Sequence, residues 1–150
     1  MANNVLGTDI VCQVGIIVRD VDKASKAWAE ILGVPVPQWR MTGPADESHI
    51  QYRGQPTEAR AKLAFFNLGQ VQLELIEPVG APSTWAEFLE KHGQGIHHIA
   101  FRLKGMDEAL ARLEAHHVPL VQRGDYKGGR YAYVDGVPEL GAILELLENF

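Results

Sequence analysis

The chain has 150 residues, 46% of them hydrophobic and 22% charged, the composition of an ordinary globular domain. A net charge of −5 argues against a general nucleic-acid binder, which needs a basic face, but leaves room for an anionic small molecule. The single cysteine, Cys12, excludes an internal disulfide and a Cys-rich metal site, and no apolar run approaches the roughly 18 residues that cross a bilayer.

The opening MANNVLGTDIV has no basic region followed by an apolar run, so no signal peptide is predicted and a reduced, cytoplasmic protein is expected. CQVGIIV follows as a strand, with Val14, Ile16 and Val18 on one face and Gln13, Gly15 and Ile17 on the other. In RDVDKASKAWAEILG, Val21, Ala24, Trp28, Ile31 and Leu32 keep helical spacing, and Gly33 is a stop. Residues 34–60 are rich in Pro, Gly and polar residues and read as short strands and long loops, with a turn of helix at PTEAR. A hairpin is predicted next, with strands over 62–67 and 71–77, a turn at Gly69 and a stop at Pro78. TWAEFLEKHG is a short helix capped by Ser83 or Thr84 and stopped by Gly93.

The chain then begins again. GIHHIAFRL falls on the first strand at an offset of 85, which places His98 on Gln13, Asp107 on Asp22 and Leu113 on Trp28. At the far end ILELLE falls on QLELIE at an offset of 71, placing Glu145 on Glu74. The two offsets differ by 14, the length of an insert in the first copy. The pattern predicts one domain over 1–150 built from two βαβββ modules, the first over about 9–79 and the second over about 95–149, linked by a helix over 83–93.

Alternation along the strands turns Val71, Leu73 and Leu75 toward one side and Gln72, Glu74 and Ile76 toward the other. The same parity sets Glu145 opposite Leu144 and Leu146, and His98 opposite Ile99 and Phe101. By this alternation His97 points away and receives no metal role. A lone strand Glu is usually solvated, and a lone His is usually structural. Four polar residues at matching module positions instead point into one concavity: Gln13, Glu74, His98 and Glu145. Two carboxylates, an imidazole and an amide oxygen suit one divalent cation, with positions left for water or substrate. Without thiolate ligands, Zn, Co, Ni, Mn, Fe and Mg all remain open.

The paired modules and their terminal-strand ligands resemble the vicinal oxygen chelate superfamily. QVGIIVRDVDKASKAWAEILG, FFNLGQVQLELIEP, FLEKHGQGIHHIAFRL and GAILELLE are most similar to methylmalonyl-CoA epimerases. The resemblance implies an α+β fold, a half-open, barrel-like mixed sheet of eight strands with helices outside, and a homodimer. It implies metal ligands at Gln13, Glu74, His98 and Glu145, although the epimerases usually carry His at the first. Glyoxalase I enzymes of the zinc type use Gln there. The implied chemistry is proton removal next to a carbonyl by two carboxylates, Glu145 and Glu58, with the ion stabilising an enolate. Counting back from the NLG turn lands the second base on Glu58; a solvated carboxylate is the alternative there.

Three functions compete: an epimerase of methylmalonyl-CoA or a related acyl-CoA, a glyoxalase-type lyase of a hemithioacetal, and a metal-free binder of the resistance type. The ligand set disfavours the third. Gln13 also departs from the two His and one Glu of dioxygenases. DYKGGRY reads as an anion anchor or a plain glycine turn, His116 and His117 as a helix end, and Trp39 and Tyr52 as candidate pocket walls.

Overall fold

The computed structural model describes residues 4–150. Strand β1 (Val11–Ile17) leads into helix α1 (Val21–Leu32) and the two-residue strand β2 (Arg40–Met41). The insert follows as helix α2 (Ala45–Ser48) and the small strands β3 (Gln51–Tyr52) and β4 (Gln55–Pro56). Strands β5 (Arg60–Leu68) and β6 (Val71–Val79) complete the first module, and helix α3 (Thr84–His92) links it to the second. That module is strand β7 (Gly95–Arg102), helix α4 (Met106–Ala115), strands β8 (Leu120–Tyr126) and β9 (Gly129–Val134), helix α5 (Val137–Leu140) and strand β10 (Ile143–Asn149).

Among the described residues, all ten strands join one curled half-barrel sheet in the order β2-β5-β6-β1-β7-β10-β9-β8-β3-β4. The modules meet within the chain, where β1 and β7 pair antiparallel, and each central strand pairs parallel with its own module's last strand. Eight strands belong to the two modules. The other two come from the insert, whose hairpin lies on β8 with Gln51 opposite Arg123 and Tyr52 opposite Gln122. The first module's insert thus covers the second module's open edge, and both edges of the sheet end in two-residue strands.

Helices α1 and α4 lie on the convex side. Val21, Ala29 and Trp28 of α1 pack on Phe66, Leu73 and Leu75, while Met106, Ala109, Leu110 and Leu113 of α4 pack on Ala132, Val134, Leu144 and Leu146. Each fully buried aliphatic side chain contributes about 1.5–3 kcal/mol, enough to dock a helix this short. Asp20 caps α1 by accepting from the Lys23 amide at 3.1 Å, and Gly33 ends it at φ 69°.

The last glutamate of each repeat has a shared task. Glu77 accepts from the Val21 amide at 2.8 Å, and Glu148 accepts from the Gly105 amide at 2.6 Å. Each final strand therefore holds the N-terminus of its own module's helix, where free amides favour an anion.

Two local expectations are corrected. PTEAR is extended rather than helical, and the turn of helix lies earlier, at α2 behind Pro44. Pro78 does not end its strand. It pairs with Ala61 on β5, beyond Ile76, the last β6 residue paired with β1, so its missing N–H costs no ladder bond on that side.

Candidate metal centre

Four strands carry four polar side chains to the middle of the concave face. Gln13 comes from β1, Glu74 from β6, His98 from β7 and Glu145 from β10, and none is more than 7% exposed. His98 Nε2 lies 2.9 Å from Glu145 Oε2, 3.5 Å from Glu74 Oε1 and 3.0 Å from Gln13 Oε1. One ligand atom each from Glu74, His98 and Glu145 falls within 4.8 Å of the others, so these three can hold a metal ion.

Burial and neighbouring charges perturb the titrating groups of the cluster. Burial and then the neighbouring Glu145 push Glu74 up to about 8, against the opposing pull of His98 and Arg40. Burial alone would lower His98, but Glu145 and Glu74 outweigh it and raise its proton affinity. Protons on these groups are what a divalent ion would displace.

The Gln13 amide reaches the same cluster. Its Nε2 donates to Gln72 Oε1 at 2.7 Å, and Gln72 Nε2 donates to Asn67 Oδ1 at 3.0 Å. In this orientation Gln13 Oε1 faces His98 Nε2 at 3.0 Å. The opposite orientation would let the amide donate to Glu145 Oε2 at 2.9 Å and Glu74 Oε1 at 3.3 Å. Either way the amide sits against the ligand atoms of His98, Glu74 and Glu145, and its oxygen is the atom that could bind a cation. The donor set of two carboxylates, imidazole and amide oxygen therefore fits a divalent ion.

The centre opens into a cavity of about 800 Å³. Its wall is partly apolar, with Met41, Leu63, Phe65 and Leu147, and carries three cations, Arg40, Arg102 and Lys127. Trp85 also lines it, its Nε1 donating to the Tyr133 hydroxyl at 3.0 Å, while the Tyr133 ring lies 5.1 Å from the His98 ring.

The structure brings Gln13, Glu74, His98 and Glu145 together but leaves Glu58 outside. Glu58 is exposed between buried Thr57 and Ala59 and does not line the cavity, because in the extended chain its neighbours take the inward positions. Besides Glu74 and Glu145, the glutamate that does line the cavity is Glu47, on α2. Its helix was signalled by Pro44 ahead of Asp46 and Glu47, a helix-start pattern. Trp39 and Tyr52 are not cavity walls: Trp39 donates to Asp22 Oδ1 at 3.0 Å, and the Tyr52 hydroxyl bonds Glu87. DYKGGRY is the β8–β9 hairpin, with Asp125, Tyr126 and Lys127 at the cavity.

His97 departs most from alternation. It is 3% exposed, with Nδ1 3.0 Å from His98 Nδ1. Gly15 pairs with His98 and Ile16 with Ile96, so His97 is the extra residue of a β-bulge that re-aims it inward. No sequence signal marks that bulge.

Residues 12–134 match the family described as the Glyoxalase/Bleomycin resistance protein/Dioxygenase superfamily. The chain is 42% identical over 94 residues to the uncharacterized protein YqjC of Bacillus subtilis, covering 61% of this chain and 67% of that one. It is 30% identical over 102 residues to the mitochondrial methylmalonyl-CoA epimerase of Homo sapiens, covering 67% of this chain and 50% of that protein. This chain thus spans about half the length of the curated epimerases it matches. The solved methylmalonyl-CoA epimerase of Mycobacterium tuberculosis is 26% identical with a TM-score of 0.64, covering 100% of this chain and 96% of that one. By its paired modules, its curled sheet and this match, the chain belongs to the glyoxalase/bleomycin resistance/dioxygenase, or vicinal oxygen chelate, superfamily.

Proposed function

We propose that the protein is a metal-dependent isomerase that removes and returns a proton next to a carbonyl, acting on methylmalonyl-CoA or a related acyl-CoA. The observation that carries this reading is the buried convergence of Gln13, Glu74, His98 and Glu145 at one cavity. Similarity to the human epimerase supports the choice of reaction. Gln13, Glu74, His98 and Glu145 would hold one divalent ion, drawn from Co, Zn, Ni, Mn, Fe and Mg. When bound, that ion supplies Lewis acidity that stabilises negative charge developing on a carbonyl oxygen.

The chain's own residues perform the remaining tasks. Arg40, Arg102 and Lys127 attract an anionic substrate to the cavity, and the apolar wall accepts its acyl portion. Glu145 is one acid–base group. Glu47 replaces Glu58 as the second, because it is the other glutamate reaching the cavity besides Glu74. A carboxylate on either side lets a proton leave one face and return to the other. The reading includes a homodimer, to be checked by light scattering.

Gln13 favours a second reading, a glyoxalase-type lyase acting on a hemithioacetal. Incubating metal-loaded protein with methylmalonyl-CoA in D2O separates the two. Deuterium entering the carbon next to the carbonyls supports the epimerase. No exchange, with turnover of a hemithioacetal, supports the lyase.

A further inference from the structure

His97 is a buried side chain that the proposed chemistry leaves unused. The bulge in β7 turns it from the convex face into a slot between Phe88, Tyr133 and His98, with ring centroids 5.4, 5.0 and 5.2 Å away. Its Nδ1 is 3.0 Å from His98 Nδ1. Two ring nitrogens at that distance share one proton, so one must donate and the other accept.

The surroundings choose the direction. His98 Nε2 faces Gln13 Oε1, Glu74 and Glu145, the positions around a bound ion. To offer a lone pair there, neutral His98 must carry its proton on Nδ1, and that proton needs an acceptor. His97 Nε2 is buried and meets no hydrogen-bond partner among the described residues. Buried among Phe88, Tyr133 and His98, His97 can accept the His98 proton on Nδ1 when its own proton sits on Nε2.

We infer that His97 is a positioning residue: its Nδ1 accepts a hydrogen bond from His98 Nδ1–H and holds His98 in the tautomer whose Nε2 binds the divalent ion. The reverse arrangement would leave a proton on His98 Nε2 and block the ion. The inference rests on the metal reading for its purpose, and the hydrogen bond itself is testable without any metal.

The test combines ¹⁵N–¹H long-range spectra of metal-free protein with Co²⁺ titrations of wild type, H97N and H97L, each checked for folding by circular dichroism. Expected are a protonated His98 Nδ1, an unprotonated His97 Nδ1 and a protonated His97 Nε2. Asn places an amide oxygen near the Nδ1 position, so H97N should bind Co²⁺ close to wild type, while H97L should bind about 10- to 100-fold more weakly. An unprotonated His98 Nδ1 would overturn the inference. So would a folded H97L with wild-type affinity, or an H97N as weak as H97L. Failure of the wild type to take up Co²⁺ would overturn the metal reading instead, and the spectra would still decide the hydrogen bond. If H97L does not fold, the spectra and H97N carry the test.

Discussion

Gly15 lies against the His98 imidazole so closely that a Cβ at residue 15 would overlap the ring. Their Cα positions pair across the β1–β7 junction, where the two modules meet. Glycine at 15 is thus what lets His98 lie over β1 and face Glu74 and Glu145. G15A is expected to push the ring aside, costing about 1–3 kcal/mol of stability as an overpacked site. Divalent-ion affinity should fall with it. Denaturant unfolding and Co²⁺ titration check the two effects separately.

Glu47 and Glu58 make a matched pair of controls. E47Q is expected to slow proton exchange at the substrate's reacting carbon by on the order of a hundredfold or more, the usual worth of a general acid–base group. Its Co²⁺ affinity should stay near wild type, since Glu47 is outside the four ligands. E58Q, altered on the exposed side of the chain, should match wild type in both measurements.

Acid stability should depend on Glu148. Its hydrogen bond from Arg130 lowers its proton affinity most; its partial burial opposes this, and the Gly105 and Met106 amides add to the lowering. A depressed folded-state value means this stabilisation is present above the unfolded value of about 4.3. It is lost as pH falls through the lower folded value. E148Q should cost about 1–3 kcal/mol near neutrality, the worth of charge-assisted hydrogen bonds. It should also flatten the loss of stability below pH about 4, measured as the urea midpoint against pH.

The repeat made most of the architecture legible. An offset of 85 residues aligned β1 with β7 and α1 with α4, and an offset of 71 aligned β6 with β10. Side-chain alternation then placed Glu74 and Glu145 on the concave face, because both strands are regular there. Alternation failed at His97, where the bulge adds one residue to β7 and nothing local announces it. The insert was opaque for a different reason. Its strands are two residues long, too short for any periodicity, and β3 finds its partner on β8, about 70 residues further along. Counting back from the Gly69 turn reaches Glu58, but counting cannot see which neighbours face inward. The glutamates at 77 and 148 were visible as a repeat, but their task as helix caps needed the distances.

The most direct test of the central claim is a Co²⁺ titration of metal-free protein, followed by calorimetry in buffers of different ionisation enthalpy. One ion per chain is expected, with protons released from Glu74, held at about 8 in the metal-free site, and from His98. Raised proton affinities mean the ion competes with protons, so binding should weaken as pH falls below about 8. E74Q and E145Q should lose stoichiometric uptake. No stoichiometric binding by the wild type, or undiminished binding by both variants, would contradict a metal centre at these four residues.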